Sequence, residues 1–251
     1  MPAGKKRQLA TRGKMSGALG VHASIAHDLG AQIVSGRFKP GEILVGEIES
    51  SEQRNVSRTA YREAMRVLSA KGLVTSRPRV GTRVSPQHDW HLLDPDVLGW
   101  IFHGDPDPGM LQNLFELRFM VEPAAAALAA AHRTPSHLDE MRGALALMKQ
   151  HTLQTPAGRL ADQEFHAALL RAGGNPFVIS LTNGVIGAVD ALTEFKQRGG
   201  PLQRDPIPDH ELVFDAIVEE NADGARKAMA ELIRLAVLDT PIRSRRRQKK
   251  H

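Results

Sequence analysis

The stretch from Asn55 to Val84, NVSRTAYREAMRVLSAKGLVTSRPRVGTRV, limits the choice of fold more than any other segment. A turn at Asn55 leads to Ser57, whose hydroxyl oxygen is placed to cap a new helix. Ala60, Ala64, Val67 and Leu68 then recur at i, i+4, i+7 and i+8, the face of a helix that packs on a core. Arg58, Arg62 and Arg66 lie four apart on a neighbouring face. Gly72 to Ser76 reads as extended, followed by the basic turn Arg77-Pro78-Arg79-Val80-Gly81 and a return strand from Thr82 to Ser85. Gly81 suits the tight turn. A helix followed by a basic hairpin is the order of a winged helix-turn-helix. Ser57, Arg58, Thr59 and Arg62, at the start of the helix, are placed to meet base edges in the major groove. Arg79 and Gly81 of the hairpin are placed to meet phosphate or the minor groove. A solvated helix face could carry the same arginines; the hairpin with its own arginines favours DNA. One such unit covers a half-site, so a homodimer on a pseudo-palindrome is expected.

Charge divides the chain in the same sense. Residues 15–88 hold 10 basic and 6 acidic side chains, whereas residues 89–240 hold 12 and 22. The first part attracts nucleic acid and the second is repelled by it. Residues 1–14 and 241–251 carry five and six Lys/Arg and no acid. Both tails are expected to be disordered, adding phosphate attraction or only solubility. Cysteine is absent, which excludes disulfides and zinc–thiolate sites. No apolar run reaches membrane-spanning length and no signal peptide opens the chain, so a cytoplasmic protein with no membrane partner is expected.

The expected organisation is a basic tail (1–17), a winged helix-turn-helix domain (18–88), an all-helical domain (89–240) and a second basic tail (241–251). In the first domain, a helix from Val21 to Ser35 ends at Gly36, and a second near Glu47 to Arg54 forms the first arm of the helix-turn-helix. Beyond the linker Ser85 to Asp89, Asp94 and Pro95 suit the cap and first turn of a short helix. Helical patterns follow at Pro108–Ala131, Pro135–His151, Arg159–Ala172, Pro176–Gln197, Pro208–Glu220 and Asp223–Asp239. Period-two alternation is nowhere sustained. The fold class is therefore mostly α, with an antiparallel helical bundle behind the winged domain.

The segments IVSGRFKPGEIL and VSRTAYREAMRVLSAKGLV, with the basic wing, resemble the GntR family of bacterial transcription regulators across the whole first domain. The resemblance implies DNA contacts at Ser57, Arg58, Thr59 and Arg62, and at Arg79 and Gly81 of the wing. One departure concerns the family's Pro-Ser/Ala-Glu-Arg-Glu-Leu segment. Here it reads Leu44-Val45-Gly46-Glu47-Ile48-Glu49, so Ile48 stands where a DNA-touching arginine is usual, and the operator sequence does not carry over.

The second domain resembles the FadR-like branch, whose effector domain is called FCD. The marks are Glu116-Leu117-Arg118, Val121-Glu122-Pro123 with its alanine run, Asp162-Gln163-Glu164-Phe165-His166, Asn175, and His210 with Ala228-Met229 beyond. WHLLDPDVLGWI and ELRFMVEPAAAALAA look most like the galactonate-operon repressors of that branch.

Asp162 and His166, at i and i+4, lie one turn apart on a helix face, so they can chelate a divalent ion with His210 as a third ligand. By the plainer alternative, Asp162 orients His166 and His210 caps its own helix. The resemblance places Asp162, His166 and His210 at three of the branch's four metal positions, zinc being the first expectation. The fourth falls at Leu232, which cannot ligate. Arg118 is either a salt-bridge partner or the receiver of a carboxylate, which its planar fork suits. By resemblance it faces the bundle cavity, where Arg118, Asp162, His166, Asn175 and His210 would hold a small carboxylate effector, a sugar acid such as galactonate.

Two functions are compatible with these residues. One is a DNA-binding repressor controlled by that effector. The other is a metal-dependent enzyme acting on a small acid, its first domain a targeting arm. No nucleophile motif accompanies the metal residues, and Glu164 points away from their face, which favours the repressor.

Overall fold

The computed structural model describes residues 5–44, 56–77, 80–104 and 106–240, with side chains from residue 20 onward. By contact the chain divides into two units, Met1–Gly104 and Asp105–His251.

Helix α1 (Lys5–Val34) opens the first unit and buries Ile25, Leu29 and Ile33. It starts well before the expected Val21, and no proline lies between Lys5 and Val34 to stop it. Gly36, with φ 78°, ends the turn that follows. Helix α2 (Arg58–Ala70) is the second arm of the helix-turn-helix; the first arm, with Ile48, lies outside the described residues. Ser57 Oγ accepts the Ala60 N–H at 3.1 Å, the expected cap. Ala60, Tyr61, Ala64, Met65 and Leu68 form the buried face of α2, which packs against α1.

Strands β1 (Val74–Arg77) and β2 (Gly81–Val84) pair antiparallel, Val74 opposite Val84 and Arg77 opposite Gly81. The expected strand from Gly72 starts two residues later, because Gly72 takes φ +74° in the turn that leaves α2. The 41–44 segment joins the hairpin from the other side, with Leu44 N–H donating to Thr82 O and Val84 N–H to Glu42 O.

The linker expected at 85–89 does not leave the first unit. Trp90 Nε1 donates to Ser85 O, and His91 N–H to Lys71 O. Lys71 Nζ lies 2.7 Å from Asp94 Oδ1 and 2.8 Å from Asp96 Oδ2, with the Trp100 ring 5.7 Å away. Close packing explains the path: a Cβ on Gly72 would stand 2.1 Å from the Asp89 carbonyl oxygen. Asp94 caps α3 (Pro95–His103), as expected, by accepting from Asp96 and Val97 N–H. Helix α3 packs on α1, its Trp100 ring lying against Gly30. Residues 89–104, expected in the second domain, thus belong by contact to the first unit.

The second unit is helical throughout its described residues: α4 (Pro108–His132), α5 (Pro135–His151), α6 (Pro156–Ala172), α7 (Pro176–Ser180), α8 (Thr182–Gln197), α9 (Ile207–Val218) and α10 (Ala222–Leu238). Proline at the first helical position and Asp107, Thr134, Thr155 or Asn175 at the cap start α4 to α7. The helix expected over Pro176–Gln197 is broken at Leu181. Ser180 Oγ donates to Phe177 O and Thr182 Oγ1 to Ile179 O, hydroxyls that compete with the helical backbone for its carbonyls. Helix α4 packs against α6 and α10, α5 against α6, and α9 against α10. The packing brings α4, α6, α8, α9 and α10 around one cavity. No helix among the described residues is long and apolar enough to cross a membrane.

Candidate functional site

The recognition helix presents Arg58, Thr59, Arg62 and Arg66 to solvent, opposite its buried face. Ser57 is also exposed, but its oxygen is taken up in capping Ala60. Arg66 pairs with Glu63 at 2.9 Å. Neither Arg58 nor Arg62 forms an ion pair among the described residues, which leaves both guanidinium groups available to phosphate or base. Gly81 opens β2 with φ +95°, a backbone that suits glycine. Arg79 lies outside the described residues.

In the second unit, α6 places Asp162 and His166 one turn apart and α9 brings His210 to meet them. All three are buried, and one donor atom from each lies within 4.8 Å of the others. His210 Nδ1 stands 2.8 Å from Pro206 O. A carbonyl only accepts, so Nδ1 carries a proton, and Nε2 stands 3.0 Å from Asp162 Oδ1. His166 Nδ1 lies 2.7 Å from Glu122 Oε2, and its Nε2 lies 3.8 Å from Asp162 Oδ1. Close as these pairs are, their angles are not those of hydrogen bonds. Asp162 Oδ1, His166 Nδ1 and His210 Nε2 are buried without a hydrogen-bond partner among the described residues.

Buried polar atoms this close without hydrogen-bond geometry are costly unless a proton or a metal cation joins them. The donor set of one carboxylate and two imidazoles, with Glu122 behind His166 as an outer partner, therefore fits a divalent ion such as zinc. Leu232 lines the same cavity from α10 and offers no ligand.

Arg118 and Glu122, on successive turns of α4, are 4% and 0% exposed. Arg118 Nε lies 2.5 Å from Glu122 Oε1, and Nη2 lies 3.3 Å from Oε2. Burial alone would raise the Glu122 carboxyl; Arg118 and His166 outweigh it and hold its pKa at about 2. Asp162 is likewise held below the usual carboxylate range, against burial, by His210, His166 and Arg118. Of the two roles expected for Arg118, the structure displays the ion pair.

Asn175 does not join this group. Its side chain accepts Phe177 and Val178 N–H as the cap of α7, and it is not among the residues lining the cavity. Three charged lining residues escaped the sequence reading: Lys196 at the end of α8, and Arg204 and Asp239 flanking α9 and α10. Arg204 pairs with Asp209 and, at 3.2 Å, with Asp239. Glu122 was noted as a mark of resemblance without a role; its i, i+4 distance from Arg118 was the available signal. The cavity measures about 30 Å³, room for an ion or a water.

Comparison with known proteins agrees with this two-part architecture. Residues 22–84 match the model of the gntR family of bacterial regulatory proteins, and residues 113–235 that of the FCD domain. The galactonate operon transcriptional repressor of Escherichia coli K12 is 34% identical over 82% of this chain and 90% of its own. The uncharacterized HTH-type transcriptional regulator YieP of the same strain is 33% identical over 84% of this chain and 91% of its own. Among solved structures, Lar, which controls expression of the Listeria monocytogenes agr system, overlays with a TM-score of 0.61. That match has 17% identity over 86% of this chain and 94% of the other, a likeness of fold alone. The family and these relatives are regulators, which removes the metal-dependent enzyme from consideration. The chain belongs to the GntR family, with an FCD domain as its second part, and is a transcription regulator rather than an enzyme.

Proposed function

We propose that this regulator is a homodimeric repressor released from or driven onto its operator by a small hydroxylated carboxylate, a sugar acid such as galactonate. The single observation that carries the reading is the cavity, where Asp162 Oδ1 and His210 Nε2 lack hydrogen-bond partners among the described residues, beside a cluster of cationic side chains. Asp162, His166 and His210 would hold a divalent ion there, which supplies a centre of positive charge for an oxygen-rich ligand. The identity with the galactonate operon repressor points to an aldonic acid.

A cavity of about 30 Å³ does not hold a sugar acid, so the effector must open it. Leu202, Arg204 and Pro206 line it from the segment joining α8 to α9. That segment is the part expected to yield, and a ligand that selects the opened form changes DNA affinity through its differential binding to the two states. On the DNA side, Arg58, Thr59 and Arg62 would read a half-site, with Arg79 and Gly81 at the wing and a second protomer on the other half.

The test is a thermal-shift and gel-shift screen of aldonic and hydroxycarboxylic acids on the full chain, with and without zinc. D-galactonate should raise Tm and alter operator affinity, and the His166→Ala variant should lose both responses while still binding DNA. A wild type that responds to none of the acids would refute the effector reading. Light scattering that gives a monomer mass both free and on DNA would refute the dimer.

A further inference from the structure

Three cationic side chains line the cavity, and they are not equivalent. Arg118 already holds the Glu122 carboxylate along its Nε–Nη2 edge. Arg204 is shared between Asp209 and Asp239. Lys196, half-buried in the last turn of α8, forms no hydrogen bond or ion pair among the described residues. Burying an ammonium without an anion is unfavourable, and a fold retains such a group at a cost in stability.

Resting on the effector reading above, we propose that Lys196 is the cation that receives the effector's carboxylate, and that Arg118 is a positioning residue that holds Glu122 against His166. The geometry separates the two roles. A ligand carboxylate at Arg118 would share a guanidinium whose Nε–Nη2 edge is already committed to Glu122, the carboxylate that lies 2.7 Å from His166. At Lys196 it would fill a vacant partnership. The electrostatics agree: burial first, then the Arg118 charge, bring the Lys196 pKa down to about 8, while Asp162 and Asp239 attract it without contact and Arg204 repels it. An incoming carboxylate reverses that depression and so draws a proton onto the amine at mildly alkaline pH.

Titration calorimetry on the full chain tests the assignment, with D-galactonate and, at tens of millimolar, acetate as the minimal carboxylate. Lys196→Gln should weaken both probes roughly tenfold or more, the worth of one charge-assisted hydrogen bond, and Lys196→Arg should recover most of the loss. The unliganded Lys196→Gln protein should melt no lower than wild type, since no native pair is broken. In buffers of different ionisation enthalpy at pH 8.5, wild type should take up protons on binding and Lys196→Gln should not. Unchanged affinity in Lys196→Gln overturns the proposal and leaves the effector reading standing. A melt lowered by several degrees overturns it by exposing a structural lysine. A wild type that binds neither probe overturns both readings together.

Discussion

The two units handle charge in opposite ways. On the recognition helix the arginines stand in water on the far side of an ordinary apolar face, and Ser57 meets a purely local need. Around the cavity, Arg118, Glu122, Asp162, His166 and His210 are all buried, and several of their atoms have no hydrogen-bond partner among the described residues. A surface for a long polyanion needs charge that is exposed and little constrained, because counterion release supplies the affinity. A cavity for one small ligand needs charge already stripped of water, so that each contact is strong. Charge exposed on the helix surface costs the fold almost nothing, whereas the paired charge around the cavity is built into its stability.

The largest expected effect tests the buried side of that contrast. Glu122→Ala removes the carboxylate shared by Arg118 and His166 and leaves both buried without it. It should destabilise the second unit by about 3–5 kcal/mol in denaturant unfolding. A loss below 1 kcal/mol would mean that water or a bound ion screens the group, and the contrast would collapse. Next in size is Arg58→Ala, which should weaken operator binding by about 1–3 kcal/mol in a gel-shift titration at fixed salt. Its melting temperature should match that of wild type; a coupled fall in stability would show that the exposed arginine is not free of the fold after all. Smallest is Ser57→Ala. Loss of the cap should cost about 1 kcal/mol of stability, and operator affinity should weaken only as far as the first turn of α2 frays. A loss of DNA binding as large as that for Arg58→Ala would assign the hydroxyl a DNA contact as well.

The same contrast explains what could be read from the chain beforehand. The cap at Ser57, the arginines at four-residue intervals and the basic hairpin are short-range signals, and the helix and wing formed where local pattern placed them. Asp162 with His166 was legible for the same reason, one turn apart on one helix. Lys196, Arg204 and Asp239 were not, because each lies beside neighbours that say nothing about a cavity assembled from five helices. Asn175 failed in the other direction: its residue type suits hydrogen bonding to a ligand, but a proline at the next position made it a helix cap. The segment from Ser85 to Asp89 read as a linker. Contacts made by Gly72, Leu73 and Thr75, earlier in the sequence, tie it down instead.

Gly72 carries a consequence for genetics. Its φ of +74° and the Asp89 carbonyl oxygen, 2.1 Å from where a methyl group would sit, leave no room for any other residue. A side chain there would push away the strap that runs from Ser85 to Asp94 and strain the exit of α2. Alleles selected for lost control of a target gene should therefore accumulate at codon 72 alongside those at codons 58 and 62. They would mimic contact mutants while touching no nucleotide. Inherited loss of operator recognition is, at that position, a folding defect.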